Sequence, residues 1–214
     1  MVTWPNPERW TTLCRTVGVG SNTAQWYQCL TEAYAQPQRH YHNQRHIAEC
    51  LLEFNQARHL ALKPHAVELA LWFHDAVYDP KAADNEERSA ALAKRCLVEN
   101  AGSVALVEKV VDLIMVTKHH GTNLDADAGL MMDIDLSILG RDEKRFLEYE
   151  SQIREEYAWV PEKIFFPKRA EILEGFISRG QIYTTELFRG KYEDQARKNL
   201  AASIRRLKQK AGNI

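Results

Sequence analysis

Apolar residues recur at spacings of three and four along most of this chain, and this periodicity restricts the fold more than any other feature. Val107, Val110 and Ile114, for example, would lie on one face of a helix. No segment shows the sustained strict alternation of apolar and polar residues that marks a half-buried strand. The sequence therefore predicts an all-α fold.

Capping residues, prolines and glycines predict where the helices begin and end. Ser21 and Asn22 resemble an N-cap, and Pro64 suits the first turn of a helix. The predicted helices cover 21–34, 43–56, 64–76, 85–99, a segment from Val104 onward, 125–139, 142–158, 162–179 and 191–210. No linker or internal repeat separates them, so we predict a single helical domain over 1–214.

Charge and cysteine usage exclude several classes of partner. With 28 Lys and Arg against 29 Asp and Glu, the formal net charge is -1, so we expect no nucleic-acid polymer and no acidic membrane surface as partner. The four cysteines are widely spaced without a CxxC motif, which favours reduced thiols over disulfides or a structural zinc site.

No apolar run approaches 18 residues and no signal-peptide pattern is present, so we expect a cytoplasmic protein. No feature of the sequence indicates an oligomeric state.

Three histidines lie within the seven-residue stretch HYHNQRH. His42 and His46 are four residues apart, so they share one face if the turn between them is helical. His40 would lie off that face. The stretch therefore offers two imidazoles that could reach one small volume.

A His-Asp pair, His74 and Asp75, follows in the apolar run WFHDAVYD, late in the predicted helix 64–76. A carboxylate there costs several kcal/mol unless it is paired or bound to a metal. Downstream, the apolar segment MMDIDLSIL contains Asp133 and Asp135. Two histidines, the helix carboxylate and one remote aspartate form a mixed nitrogen and oxygen ligand set, which suits a catalytic divalent metal ion.

The order H…HD…D resembles the HD superfamily of metal-dependent phosphohydrolases, whose fold is an all-α bundle. YHNQRHI is similar to the YHNxxH segment of cyclic-nucleotide phosphodiesterases, and DLS at 135–137 resembles the segment that carries their last metal-ligating aspartate. The resemblance implies four metal ligands: His46, His74, Asp75 and Asp135. The DLS match is the reason to prefer Asp135 over Asp133.

The same resemblance implies that His42 is the general acid, because the first histidine of YHNxxH is a proton donor. The motifs occupy 41–137, and 141–214 resembles a small bacterial subgroup of predicted HD phosphohydrolases. The expected architecture is thus a single-domain helical bundle of the HD type, in which the C-terminal helices at 141–211 complete the bundle.

HDAVYD also resembles the HDxxED motif of alarmone hydrolases, although Tyr78 stands in place of their glutamate. Asp79 matches their aspartate. It would orient a water as a catalytic residue, or it would be an N-cap or turn residue before Pro80. Both interpretations stay open at the level of sequence.

Lys118-His119-His120 resembles the paired histidines of binuclear HD enzymes. Those enzymes place a further histidine between the HD pair and the HH pair, and this chain has none from 76 to 118. One metal ion is therefore predicted. Lys118 and His119 are predicted to contact a phosphate group as part of the catalytic set.

The expected function is that of a metal-dependent phosphohydrolase that uses metal-activated water on a nucleotide or other small phosphoester. The ligand set suits one divalent ion among Mn, Mg, Fe, Co, Ni and Zn. One alternative is an HD-type non-haem iron oxygenase, which would need a second iron. The other is a non-catalytic helical binding module, although such a module would be expected to lose His42.

Overall fold

The computed structural model describes residues 4–20, 22–119 and 124–212, without the side chain of His119. Ser21 and His120 lie outside these ranges. Within them every regular element is helical, with ten α-helices, two short 3-10 helices and no strand, so the predicted all-α class is confirmed. Across the same residues, no helix combines the length and apolar character needed to cross a membrane.

The chain divides into two compact units, Met1–Ile134 and Asp135–Ile214. The single domain expected over 1–214 stays a prediction. The first unit contains α1 (Pro7–Thr16), α2 (Thr23–Tyr34), α3 (Gln44–Ala57), a 3-10 helix (Arg58–Leu60), α4 (Pro64–Phe73), α5 (Asn85–Glu99), α6 (Val104–His119) and α7 (Ala126–Asp135) up to its last residue. The second contains a 3-10 helix (Leu136–Gly140), α8 (Glu143–Glu156), α9 (Glu162–Ile177) and α10 (Glu186–Gly212).

Helix α1 was not among the predicted helices. Asn6 is its N-cap and accepts a hydrogen bond from the Arg9 N–H at 3.1 Å, while Pro7 occupies the first helical position. Only Trp10, Leu13 and Cys14 are buried on it. This apolar set covers little more than one turn, which is too short for periodicity alone to distinguish a helix from a loop.

Helix α4 is the centre of the first unit, and it is buried on all sides from Ala66 to Phe73. The ring of Trp72 packs edge-on against Trp10 with centroids 5.4 Å apart, and Phe73 does the same against Trp26 at 6.4 Å. The helix ends at Phe73, so the predicted end at 76 was wrong by three residues. His74 follows as the C-cap, and Asp75 lies in the turn beyond it.

Helix α3 begins at Gln44 because Asn43 caps it. The Asn43 side chain accepts a hydrogen bond from the Arg45 N–H at 2.9 Å and donates to the His40 carbonyl at 2.7 Å. His46 consequently lies in the first turn of the helix. His42 lies in the preceding turn, so the two histidines do not share a helix face.

The second unit is organised by the contact between its 3-10 helix and α10. The Asn199 side-chain amide donates to the carbonyls of Leu139 and Arg141, both at 2.8 Å. The Tyr183 hydroxyl donates to the Leu136 carbonyl at 3.0 Å. Gly140 faces Tyr192, and a Cβ at position 140 would lie 2.7 Å from the Tyr192 carbonyl oxygen and 2.9 Å from its Cα. Only glycine therefore fits at this approach.

Gly140→Ala should destabilise the protein by about 1–3 kcal/mol, because the added methyl group meets backbone that cannot rotate away. Gly175→Ala is the matched control, since a Cβ there meets nothing within 4 Å. It should leave stability unchanged or raise it by up to about 1 kcal/mol, because alanine favours a helix interior. Urea unfolding of both variants measures the difference, and equal stabilities would contradict the close packing at Gly140.

Candidate metal centre

Three potential ligand atoms form a nearly equilateral triangle at the end of α4. His46 Nε2 lies 3.1 Å from His74 Nε2. Asp75 Oδ2 lies 3.3 Å from His46 Nε2 and 3.2 Å from His74 Nε2. Nitrogen and oxygen ligands bound to a divalent ion at about 2.0–2.2 Å stand roughly 3.0–3.4 Å apart when they are neighbours. The three side chains fit one ion without rearrangement.

The protonation of His74 is determined by its other ring nitrogen. Nδ1 lies 3.0 Å from the Leu71 carbonyl oxygen, which can only accept, so Nδ1 carries the proton. In the neutral ring, Nε2 then presents a lone pair towards Asp75. Such an arrangement is repulsive unless the ring is protonated or a cation lies between the two groups. A backbone carbonyl that orients an imidazole in this way is typical of metal-binding histidines.

The Asp75 carboxyl is held in its charged form. Burial alone would raise its pKa, but positive charge on His74 and His42, with hydrogen bonds from His46 and His74, holds the pKa well below its usual range. Both imidazoles are buried, while Asp75 is partly exposed. The site therefore presents a carboxylate at its mouth and two imidazoles beneath it.

A second group of potential ligand atoms shares His46 and His74 with this triangle. One ligand atom each from His46, Cys50, His74 and Asp135 lies within 4.8 Å of the others. Asp135 is the last residue of α7, whereas Asp133, which is buried, does not belong to this group. Among the described residues, His46 and His74 thus belong both to the triangle with Asp75 and to the group with Asp135, and the four-ligand set that the HD resemblance implies stays a prediction. The group of His46, Cys50, His74 and Asp135 could hold a metal ion.

Cys50 was not among the predicted ligands, because the wide spacing of the cysteines favoured reduced thiols over metal ligands. The available signal was its position four residues after His46, on the same face of α3. Its sulfur lies 3.7 Å from His46 Nδ1 and 3.8 Å from Nε2. Near-equal distances to both nitrogens place the sulfur away from the direction of the Nε2 lone pair. We therefore interpret Cys50 as packing against His46.

His42 lies beside this group without belonging to it. Its ring is half-buried, stacks on Tyr78 with centroids 4.1 Å apart, and lies 6.0 Å from the ring of His46. The charge of His42 reaches Asp75, since it contributes to lowering the carboxyl pKa. The structure thus places His42 beside the triangle, and its role as general acid stays a prediction.

Asp79 is exposed and lies in a turn. Its carboxylate accepts a hydrogen bond from the Lys81 N–H at 2.9 Å, and its own N–H donates to Asn85 Oδ1 at 3.0 Å. The Asn85 amide returns a bond to the Asp79 carbonyl at 2.9 Å. These contacts are those of a turn residue, the second of the two interpretations of the sequence, and the catalytic role stays a prediction.

Lys118 is engaged by α5 and the loop before it. Its ammonium group forms an ion pair with Glu87 and donates to the Ala83 carbonyl at 3.0 Å. The hydrogen bond to Glu87 raises the pKa of Lys118 above its ordinary value. Contact with a phosphate would require this pair to open. The side chain of His119 lies outside the described part of the chain, so its predicted role stays a prediction.

The chain matches no family model, no curated protein and no solved structure. The functional interpretation consequently depends on the motifs and on the geometry of the metal centre itself.

Asp75→Ala should weaken binding of a divalent ion by more than about 100-fold, beyond the usual effect of residues that only support a ligand. Cys50→Ala should retain the ion, because its sulfur lies away from the direction of the His46 Nε2 lone pair. Inductively coupled plasma mass spectrometry of the purified variants measures metal per chain. Equal metal in wild type and Asp75→Ala would refute the site, and loss in Cys50→Ala would make the thiolate a ligand.

The same measurement distinguishes the two aspartates at the end of α7. Asp135→Ala should lose metal as Asp75→Ala does. Asp133→Asn, which keeps the shape of a buried side chain, should retain it. The opposite result would assign the remote carboxylate ligand to Asp133.

Proposed function

We propose that this protein is a metal-dependent phosphohydrolase of the HD type that acts on a nucleotide or other small phosphoester. The observation that carries the proposal is the triangle of His46 Nε2, His74 Nε2 and Asp75 Oδ2, with sides of 3.1, 3.3 and 3.2 Å. Imidazole and carboxylate ligands suit a divalent ion that keeps open positions for water and substrate.

The proposed ligands are His46, His74, Asp75 and Asp135. When bound, a divalent ion supplies positive charge to the phosphoryl oxygens and increases the acidity of nearby water. The carboxylate of Asp75 stays ionised because its pKa is low, and the Nδ1 bond of His74 to Leu71 holds the Nε2 lone pair towards the ion. The protein thus contributes a preorganised ligand set.

His42 is the proposed general acid. It is half-buried, stacks on Tyr78 and lies close enough to Asp75 to help lower the pKa of that carboxyl. The imidazolium donates its proton to the leaving oxygen as the bond to phosphorus breaks. An imidazole is suited to this step because its ordinary pKa is near 6.5.

A panel of nucleotides, nucleoside phosphates and alarmones assayed with Mn²⁺ should reveal turnover of at least one member by wild type. Phosphate release measures it, and Asp75→Ala is the control that excludes contaminating phosphatases. No turnover of any phosphoester by metal-loaded protein would contradict the proposal. Two irons per chain after anaerobic purification would instead favour an HD-type oxygenase.

His42→Ala should keep the metal but lose about 10²- to 10⁴-fold in rate on ribose-linked esters, the usual contribution of a general acid. The loss should be much smaller on p-nitrophenyl esters, because an aryl oxide departs without a proton. His46→Ala should lose both metal and activity. Steady-state rates and metal content of the two variants check the contrast.

Two results would show that His42 has a different role. A metal-free His42→Ala protein would make it a ligand, and equal losses on aryl and ribose-linked esters would exclude proton donation to the leaving group.

A further inference from the structure

Arg39 directly precedes the HYHNQRH stretch, and its guanidinium is buried, with 5% of the residue exposed. A buried cation must be matched by acceptors, because leaving it unpaired costs several kcal/mol. No motif in the sequence gives Arg39 a role. The acceptors of its hydrogen bonds show which segments of the chain the guanidinium connects.

The guanidinium binds backbone carbonyls from both halves of the metal centre. Nη1 donates to the carbonyl of His42 at 3.2 Å and to that of Asp75 at 2.5 Å. Nη2 donates to the carbonyl of Ala76 at 2.9 Å. One planar group therefore ties the turn that carries the candidate acid to the turn that carries a candidate ligand, two segments more than 30 residues apart in the chain.

The ring of Tyr78 provides a second connection between Arg39 and His42. Its ring stacks on the imidazole of His42 at 4.1 Å, and the guanidinium carbon of Arg39 lies 5.7 Å from its centroid. Gln36 orients the arginine from the other side, because its Oε1 accepts from Arg39 Nε at 3.1 Å. All four residues belong to the first unit, so the network is contained within it.

We propose that Arg39 is a positioning residue for His42, an inference that rests on the proposed phosphohydrolase function. By binding the carbonyls of His42, Asp75 and Ala76 together, its guanidinium sets where the imidazole lies relative to the metal ligands. A displacement of about 1 Å in a reacting group can cost about 100-fold in rate, so this placement matters for proton donation.

Lysine cannot replace Arg39 in this role. An ammonium group is a point charge on a flexible stem, whereas the guanidinium presents several donors in one rigid plane. Arg39→Lys keeps the buried positive charge but loses the simultaneous contacts to three carbonyls. The variant therefore separates charge from geometry.

The test compares Arg39→Lys with wild type on a ribose-linked and a p-nitrophenyl ester, after metal content and thermal unfolding have been measured. The ribose-linked rate should fall about 10- to 100-fold, and the p-nitrophenyl rate should change far less, the same signature as loss of His42. Added to His42→Ala, Arg39→Lys should cause no further loss, because both act on one proton transfer.

Arg9→Lys is the matched control. Arg9 is another arginine of the first unit, and it binds Glu68 at 2.8 Å. This variant should show no preference between the two esters. Should Arg39→Lys fail to fold, Gln36→Ala removes only an exposed acceptor of Arg39 and should give a smaller loss confined to the ribose-linked ester.

Three results would overturn the positioning role while leaving the phosphohydrolase function intact. They are equal losses of Arg39→Lys on both esters, additive losses in the His42→Ala background, and no selective loss in Gln36→Ala. Absence of turnover by wild type on either ester would overturn the proposed function, and the inference with it.

Discussion

The rest of the first unit depends on the meeting of the Asp75 carboxylate with two buried imidazoles. A carboxylate withdrawn from water costs several kcal/mol unless positive or donating groups surround it. His46 and His74 supply such groups from separate helices, and their Nε2 atoms come within 3.1 Å of each other. Ligand atoms can be held in position to within about 0.5 Å only where the helices that carry them, here α3 and α4, are rigidly packed.

The packing of α4 supplies that rigidity. Each fully buried large apolar side chain contributes about 1.5–3 kcal/mol, and Trp72 and Phe73 sit directly before His74. Their rings pack edge-on against Trp10 and Trp26. Helix α1 thus packs on the helix that leads into His74 and Asp75, and it helps to hold the candidate metal centre in place.

Apolar periodicity, together with capping residues, prolines and glycines, predicts the helical class and most helix positions. The predicted helix 85–99 matches α5 at both ends. These sequence patterns fail where a tertiary contact decides the outcome. Helix α1 has one short apolar face, which becomes a helix by packing on α4. Helix α4 ends at Phe73 although the apolar run continues, and the turn after it places the carboxylate beside both imidazoles.

The candidate ligands could be named from the sequence because metal chemistry limits which residue types can serve, and His46, Asp135 and the HD pair are unusual in apolar surroundings. Cys50 gave a weaker signal, its position four residues after His46, and Arg39 gave none. The thiol is one more small buried residue on α3, and its proximity to His46 depends on the helix face. Arg39 acts through backbone carbonyls, which every residue carries, so its partners leave no mark in the sequence.

The different positions of His42 and His46 follow from a single cap. Were the helix continuous through both, a spacing of four would place the two imidazoles on one face and make both plausible ligands. Asn43 instead caps α3, which starts at Gln44, so His42 lies in the turn before the helix and stacks on the ring of Tyr78. Two histidines that the spacing would place on one helix face are thereby held in different surroundings, one beside Tyr78 and one beside His74 and Asp75.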